Sequence, residues 1–164
     1  LAESLHHCGK KFGTTMINRR SVLRGAGALA VCSLAWPSLA LADARRVAEE
    51  IAKFTGGAVP VDSPLLSLDL PQIAEDGFVV PMTVSVESPM TEQDHVNRIT
   101  VISESNPLPG VITARFTPAS GRASLSTRIR LARSQRLFAV AELSDGRYLS
   151  RAVAVTVTVG GCGV

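Results

Sequence analysis

Hydrophobic residues recur at every second position along most of this chain, the spacing of strands with one buried face and one wet face. Leu66, Leu68 and Leu70 alternate with polar neighbours, and so do Val80, Met82, Val84 and Val86. Ile99 with Val101, and Ile112 and Ala114 with Phe116, repeat the pattern. The longest run is Ala123, Leu125, Thr127, Ile129 and Leu131, with Ser124, Ser126, Arg128 and Arg130 on the opposite face. Gln135 to Leu143 and Tyr148 to Val159 complete the set. They are joined through Asp145-Gly146, a pair favoured in tight hairpin turns, and Asp76-Gly77 marks an earlier turn. One segment departs from this period. Between Asp43 and Phe54, the residues Val47, Ile51 and Phe54 recur at offsets of four and three, and Thr55-Gly56-Gly57 closes the stretch, so a short helix is predicted there. The pattern as a whole predicts an all-β fold: an immunoglobulin-like antiparallel β-sandwich of about seven strands behind a short N-terminal helix. The paired cysteines of antibody domains are absent.

The first quarter reads differently. Asn18-Arg19-Arg20-Ser21-Val22-Leu23-Arg24 is a twin-arginine pattern, followed by an apolar stretch to Leu41 and the small-x-small site Ala40-Leu41-Ala42. Together these read as an export signal, with Arg19 and Arg20 as its signature. Met16 suits a start, which leaves Leu1 to Thr15 upstream. The apolar stretch contains Pro37 and falls short of the roughly 20 residues that span a membrane. No membrane anchor is expected, and the mature protein is expected in the periplasm. The predicted organisation is residues 1–42 as upstream residues and signal, 43–159 as the β-sandwich, and 160–164 as a flexible C-terminal arm. His6-His7-Cys8 lacks further ligands at metal-binding spacing, so no metal is assigned. Cys32 follows Val31 rather than the small residue that acylation would need, and reads as an apolar residue of the signal.

Removing the leader changes the charge. The chain holds 17 Lys and Arg against 14 Asp and Glu. Lys10, Lys11, Arg19, Arg20, Arg24 and Glu3 lie in the leader, leaving twelve basic and thirteen acidic residues and a formal charge of −1. The high pI belongs to the leader, and no nucleic-acid partner is expected. Three cysteines become one, Cys162. An odd cysteine in an exported protein points to an intermolecular bond or a functional thiol.

Other candidates carry little chemistry. Arg128, Arg130, Arg133 and Arg136 make a basic run, read as a solvated face that discourages edge pairing rather than as an anion patch. His95 has Asp94 beside it, but neighbours on a strand point to opposite faces. No nucleophile-elbow, phosphate-loop or zinc-protease pattern occurs, and neither catalytic residues nor a cofactor are assigned. Cys162 stands apart: Gly160, Gly161 and Gly163 surround it, so it is set where ordering costs most. Arg151 is the nearest preceding basic residue, and the Val164 carboxylate opposes a second negative charge, so the sequence supplies no group to activate the thiol. A tethered substrate thiol, a disulfide-linked dimer and an incidental tail cysteine all remain open on these grounds.

At this point the chain resembles SoxY, the covalent carrier family of the bacterial thiosulfate-oxidising (Sox) system. Gly160-Gly161-Cys162-Gly163 resembles that family's carrier arm, except that Val164 stands where the family has a last glycine. Leu68-Asp69-Leu70-Pro71, Ile73-Ala74-Glu75-Asp76-Gly77, Val80-Pro81, Ser88-Pro89-Met90-Thr91 and Asp94-His95-Val96 resemble family segments. Ser126 to Ala132 and Ala141 to Gly146 do so as well. The resemblance runs from about Arg46 to the end and includes the twin-arginine leader. It implies a periplasmic carrier, not itself an enzyme, whose Cys162 thiol holds sulfur intermediates during thiosulfate oxidation. It also implies a heterodimer with a SoxZ-like subunit. Three further partners are implied: a haem-containing thiosulfate-conjugating protein, a sulfate-releasing hydrolase and a sulfane dehydrogenase. The alternative is an exported immunoglobulin-like interaction module whose lone cysteine forms an intermolecular disulfide. A thiol-redox protein is a third reading, but the usual resolving cysteine is missing.

Overall fold

The alternating segments close into two facing sheets. The computed structural model describes residues 37–161. Helix α1 (Pro37–Thr55) is followed by β1 (Val61–Asp62), β2 (Leu66–Asp69), β3 (Ile73–Asp76), β4 (Val80–Val86), β5 (Val96–Ser103), β6 (Gly110–Arg115), β7 (Ala123–Ile129), β8 (Gln135–Leu143) and β9 (Tyr148–Val159). The larger sheet runs β1-β9-β8-β5-β6, with β3 also on β9, and the smaller runs β2-β4-β7. The predicted β-sandwich is thus present. The described strands number nine, two more than periodicity suggested. The additions are β1 and β3, short strands that pair in parallel with β9.

The inward positions are those the alternation named. Leu66, Leu68, Val80, Met82, Val84 and Val86 from the smaller sheet meet Ile99, Val101, Leu137, Ala139 and Ala141 from the larger, all buried in one core cluster. Two expectations change. Strand β5 is buried on both faces from Ile99 to Ser103, with Thr100 and Ile102 buried as well as Ile99 and Val101. Strand β6, by contrast, is a half-exposed edge.

Helix α1 begins at Pro37, six residues before the start read from its apolar spacing. Val47 is buried, and Phe54 meets Tyr148 edge-on at 6.2 Å between ring centroids. The Arg98 guanidinium stacks 4.7 Å from the Phe54 ring while pairing with Glu142. The helix ends at Gly56 and Gly57, with φ of 65° and 93°, where the Gly57 N–H donates to Ala52 O at 3.0 Å. The predicted hairpin joins β8 to β9. Gly146 there has φ 82°, and its N–H donates to Leu143 O at 3.1 Å.

Candidate functional site

The twelve residues of β9 carry the chain across the molecule to the glycines before Cys162. Three different neighbours hold this strand. Its first eight residues pair with β8, Leu149 and Ser150 also pair with β1, and Thr156 to Val159 pair with β3. Asp76, the last residue of β3, is in register with Val159. Two side chains reinforce the end of the strand. The Ser134 hydroxyl accepts from the Val157 N–H at 2.9 Å, and the Thr158 hydroxyl donates to Ala74 O at 3.2 Å.

Beyond Val159 the chain stays on the body for two more residues. The Gly161 N–H donates to Leu131 O at 2.8 Å, the Leu131 N–H donates to Gly77 O at 2.8 Å, and the Gly77 N–H donates to Val159 O at 2.7 Å. Gly161 and Gly77 are buried. Gly160, where the flexible arm is expected to begin, lies against Ala132, and Gly161 lies against Gly77 and Phe78. Cys162, Gly163 and Val164 lie outside the described residues, as do Arg19 and Arg20.

The segment that receives Gly161 is itself anchored. Leu131 is fully buried. Asn106, also buried, donates to Arg130 O at 2.8 Å and accepts from the Ala132 N–H at 3.0 Å and from Gln135 Nε2 at 2.9 Å. Gln135 in turn accepts from the Ser105 N–H at 2.8 Å. Sequence reasoning missed this Asn106–Gln135 pair, because Glu104-Ser105-Asn106-Pro107 reads as an ordinary polar loop. It also read Gly77 only as a turn residue. The Asp76 carboxylate does accept from the Phe78 N–H at 2.7 Å, as turns of this kind do. Yet Gly77 is not among the glycines with positive φ. Its missing side chain answers a close backbone approach. Around this root Ile73, Phe78, Val79 and Val159 are large exposed hydrophobics.

The remaining candidates separate. Arg128 on β7 and Arg130 just beyond it are exposed, whereas Arg133 pairs with Asp43 at 3.0 Å and Arg136 with Glu104 at 2.7 Å. His95 Nδ1 lies 3.0 Å from Thr91 O, within its own loop. A groove of about 310 Å³ lined by Val59, Asp62, Arg147 and Tyr148 opens at the start of β9, the other end of the strand from Gly160. Among the described residues no group of His, Cys, Asp or Glu could hold a metal ion, and no helix is long and apolar enough to cross a membrane.

Residues 51–162 match the family described as sulfur oxidation protein SoxY. The match ends on the cysteine itself. The sulfur carrier protein SoxY from Chlorobium limicola f thiosulfatophilum is 26% identical, with a TM-score of 0.59, over 71% of this chain and 99% of that one. The superoxide reductase (neelaredoxin) from Ignicoccus hospitalis is 15% identical with a TM-score of 0.51, over 56% of this chain and 79% of that one. The superoxide reductase from Nanoarchaeum equitans is 9% identical with the same TM-score, over 60% of this chain and all of that one. Both of these share the sandwich alone. No curated protein matches this chain. The family match spans α1 from Ile51 through β9 to Cys162, and the chain belongs to the SoxY family of sulfur oxidation proteins.

Proposed function

We propose that this protein is a periplasmic carrier of sulfur intermediates in thiosulfate oxidation, with the thiol of Cys162 as the attachment point. The observation that carries the reading is that the family match runs to residue 162 and so includes the one cysteine left after the predicted leader. The sulfur carrier protein SoxY from Chlorobium limicola f thiosulfatophilum, 26% identical, matches this chain's sandwich over 99% of its own length.

The chemistry needs an oxidant. When the thiol joins thiosulfate, a sulfur–sulfur bond forms between Sγ and the outer sulfur, the thiol proton goes to solvent, and two electrons leave. A haem-containing partner would take them. Hydrolysis at the sulfonate sulfur would then release sulfate and two protons, leaving a persulfide on Cys162 for a sulfane dehydrogenase. The carrier contributes the tether, and activation comes from the partner's side, since the nearest basic residue before the thiol is Arg151. A SoxZ-like subunit completes the proposed heterodimer, and Arg19 and Arg20 direct export by the twin-arginine route.

Mass spectrometry of the purified exported protein tests this. Thiosulfate and the conjugating partner should add an S–SO₃ group to Cys162 and to no other residue. A constant protein–protein disulfide at Cys162 in every preparation would favour the interaction module instead.

A further inference from the structure

The consecutive glycines Gly160 and Gly161 meet distant parts of the chain, Gly77 among them, at the root of the carrier segment, and none of the three can bear a side chain there. A Cβ on Gly161 would overlap the carbonyl carbon and oxygen of Gly77 and the Phe78 nitrogen. A Cβ on Gly160 would overlap Ala132 O. One on Gly77 would overlap Leu131 O and stand 2.7 Å from the Gly161 nitrogen. These obstacles are backbone atoms, which cannot swing aside; a Cβ on Gly77 would in addition stand 2.9 Å from the Val157 side chain at Cγ1.

We propose that Gly77 is a positioning residue for the Cys162 thiol: with Gly160 and Gly161 it forms a side-chain-free seam that fixes where the thiol leaves the body. This rests on the carrier reading above. A free tether would accept any small residue at 160 and 161 and would place no demand on Gly77. Turn geometry does not explain Gly77 either, because its φ is not positive. The relay from Val159 O through Gly77 and Leu131 to the Gly161 N–H ties the last strand to the β3–β4 turn and the β7–β8 link.

The consequence concerns reach. With Gly161 seated, the sulfur stays within roughly 7 Å of the Gly161 Cα, one chain step plus a side chain, whereas release of both glycines would add about 7 Å more. A seated root confines the thiol to that shorter reach and lowers the entropy cost of docking it in a partner.

The test uses the exported protein as purified, with Gly161→Ala, Gly77→Ala and the double variant. Gly161→Ala keeps the test open even if Gly77→Ala misfolds, since a lifted end leaves all nine strands in place. Hydrogen exchange should show a protected Gly161 amide in the parent protein and loss of that protection in either variant, with core amides such as Leu137 unchanged. In conjugation of thiosulfate by the haem-containing partner, KM for the carrier should rise by a factor of about five to ten, the worth of one lost backbone hydrogen bond. Turnover at saturation and labelling of Cys162 by iodoacetamide should not fall. The double variant should match the singles, because both remove one contact. A freely exchanging Gly161 amide in the parent protein would overturn the seam. Lost protection with an unchanged KM, or effects that multiply in the double variant, would overturn the positioning role. A parent protein that never acquires sulfur at Cys162 would overturn the carrier reading, and the exchange measurement would still decide the seam.

Discussion

Glu104 receives the Arg136 guanidinium at 2.7 Å and the Arg136 backbone N–H at 3.2 Å. The guanidinium hydrogen bond, above all, holds its carboxyl below the usual carboxylate range. The pair stabilises the fold fully above the carboxyl's unfolded pKa of about 4.3, and the contribution is lost as pH falls through the depressed folded value. Glu104→Gln should therefore lower stability at neutral pH by up to about 1 kcal/mol, the range of surface pairs. In denaturant titrations the gap to the parent should close below about pH 4. A gap that persists in acid would mean the glutamate acts by packing. The other residue-scale prediction concerns Cys162→Ser. It should abolish sulfur loading and leave the thermal midpoint within about 1–2 °C of the parent, as expected of a side chain carried on a terminal tether. A drop of many degrees would place the thiol in the fold rather than on a tether.

Among the elements, the β7–β8 link matters more than its length suggests. Its backbone is held by Asn106, and it supplies the carbonyl that receives Gly161. Asn106→Ala should strand the Arg130 carbonyl and the Ala132 N–H and cost about 1–3 kcal/mol. The same variant should speed exchange of the Gly161 amide. A loss of stability without faster exchange there would separate the link from the carrier root. The β8–β9 hairpin makes a cleaner control. Gly146→Ala forces a side chain onto φ 82° and should cost about 1 kcal/mol in thermal unfolding without touching the arm. Any effect of that variant on sulfur loading would argue against a local role for the turn.

For the whole molecule, location and partners decide the function. Arg19→Lys with Arg20→Lys should leave precursor in the cytoplasm, read by fractionation and immunoblotting. Normal periplasmic levels of the double variant would overturn the export assignment. A second small β-protein should co-purify with the exported chain. Its absence from every native preparation would remove the heterodimer from the proposal.

Local physics made much of this legible in the sequence. A period of two permits one buried face, so Leu66, Val84 and Leu137 could be set in the core before any fold was known. Gly146 was legible because a tight hairpin needs positive φ, and the helix face of Val47 and Phe54 because its spacing allows nothing else. Resemblance then carried the reading from a lone cysteine to a family. What the tertiary structure decided were the contacts between distant segments. Strand β5 is buried on both faces where its alternation exposes one, and β1 and β3 are strands only because β9 offers them an edge. Arg133 and Arg136 left the basic run for Asp43 and Glu104, partners 90 and 32 positions away. Gly160 and Gly161 read as loose chain because a glycine's entropy is a local property. The seats of Gly160 against Ala132 and of Gly161 against Gly77 are steric ones, formed only where distant backbones converge.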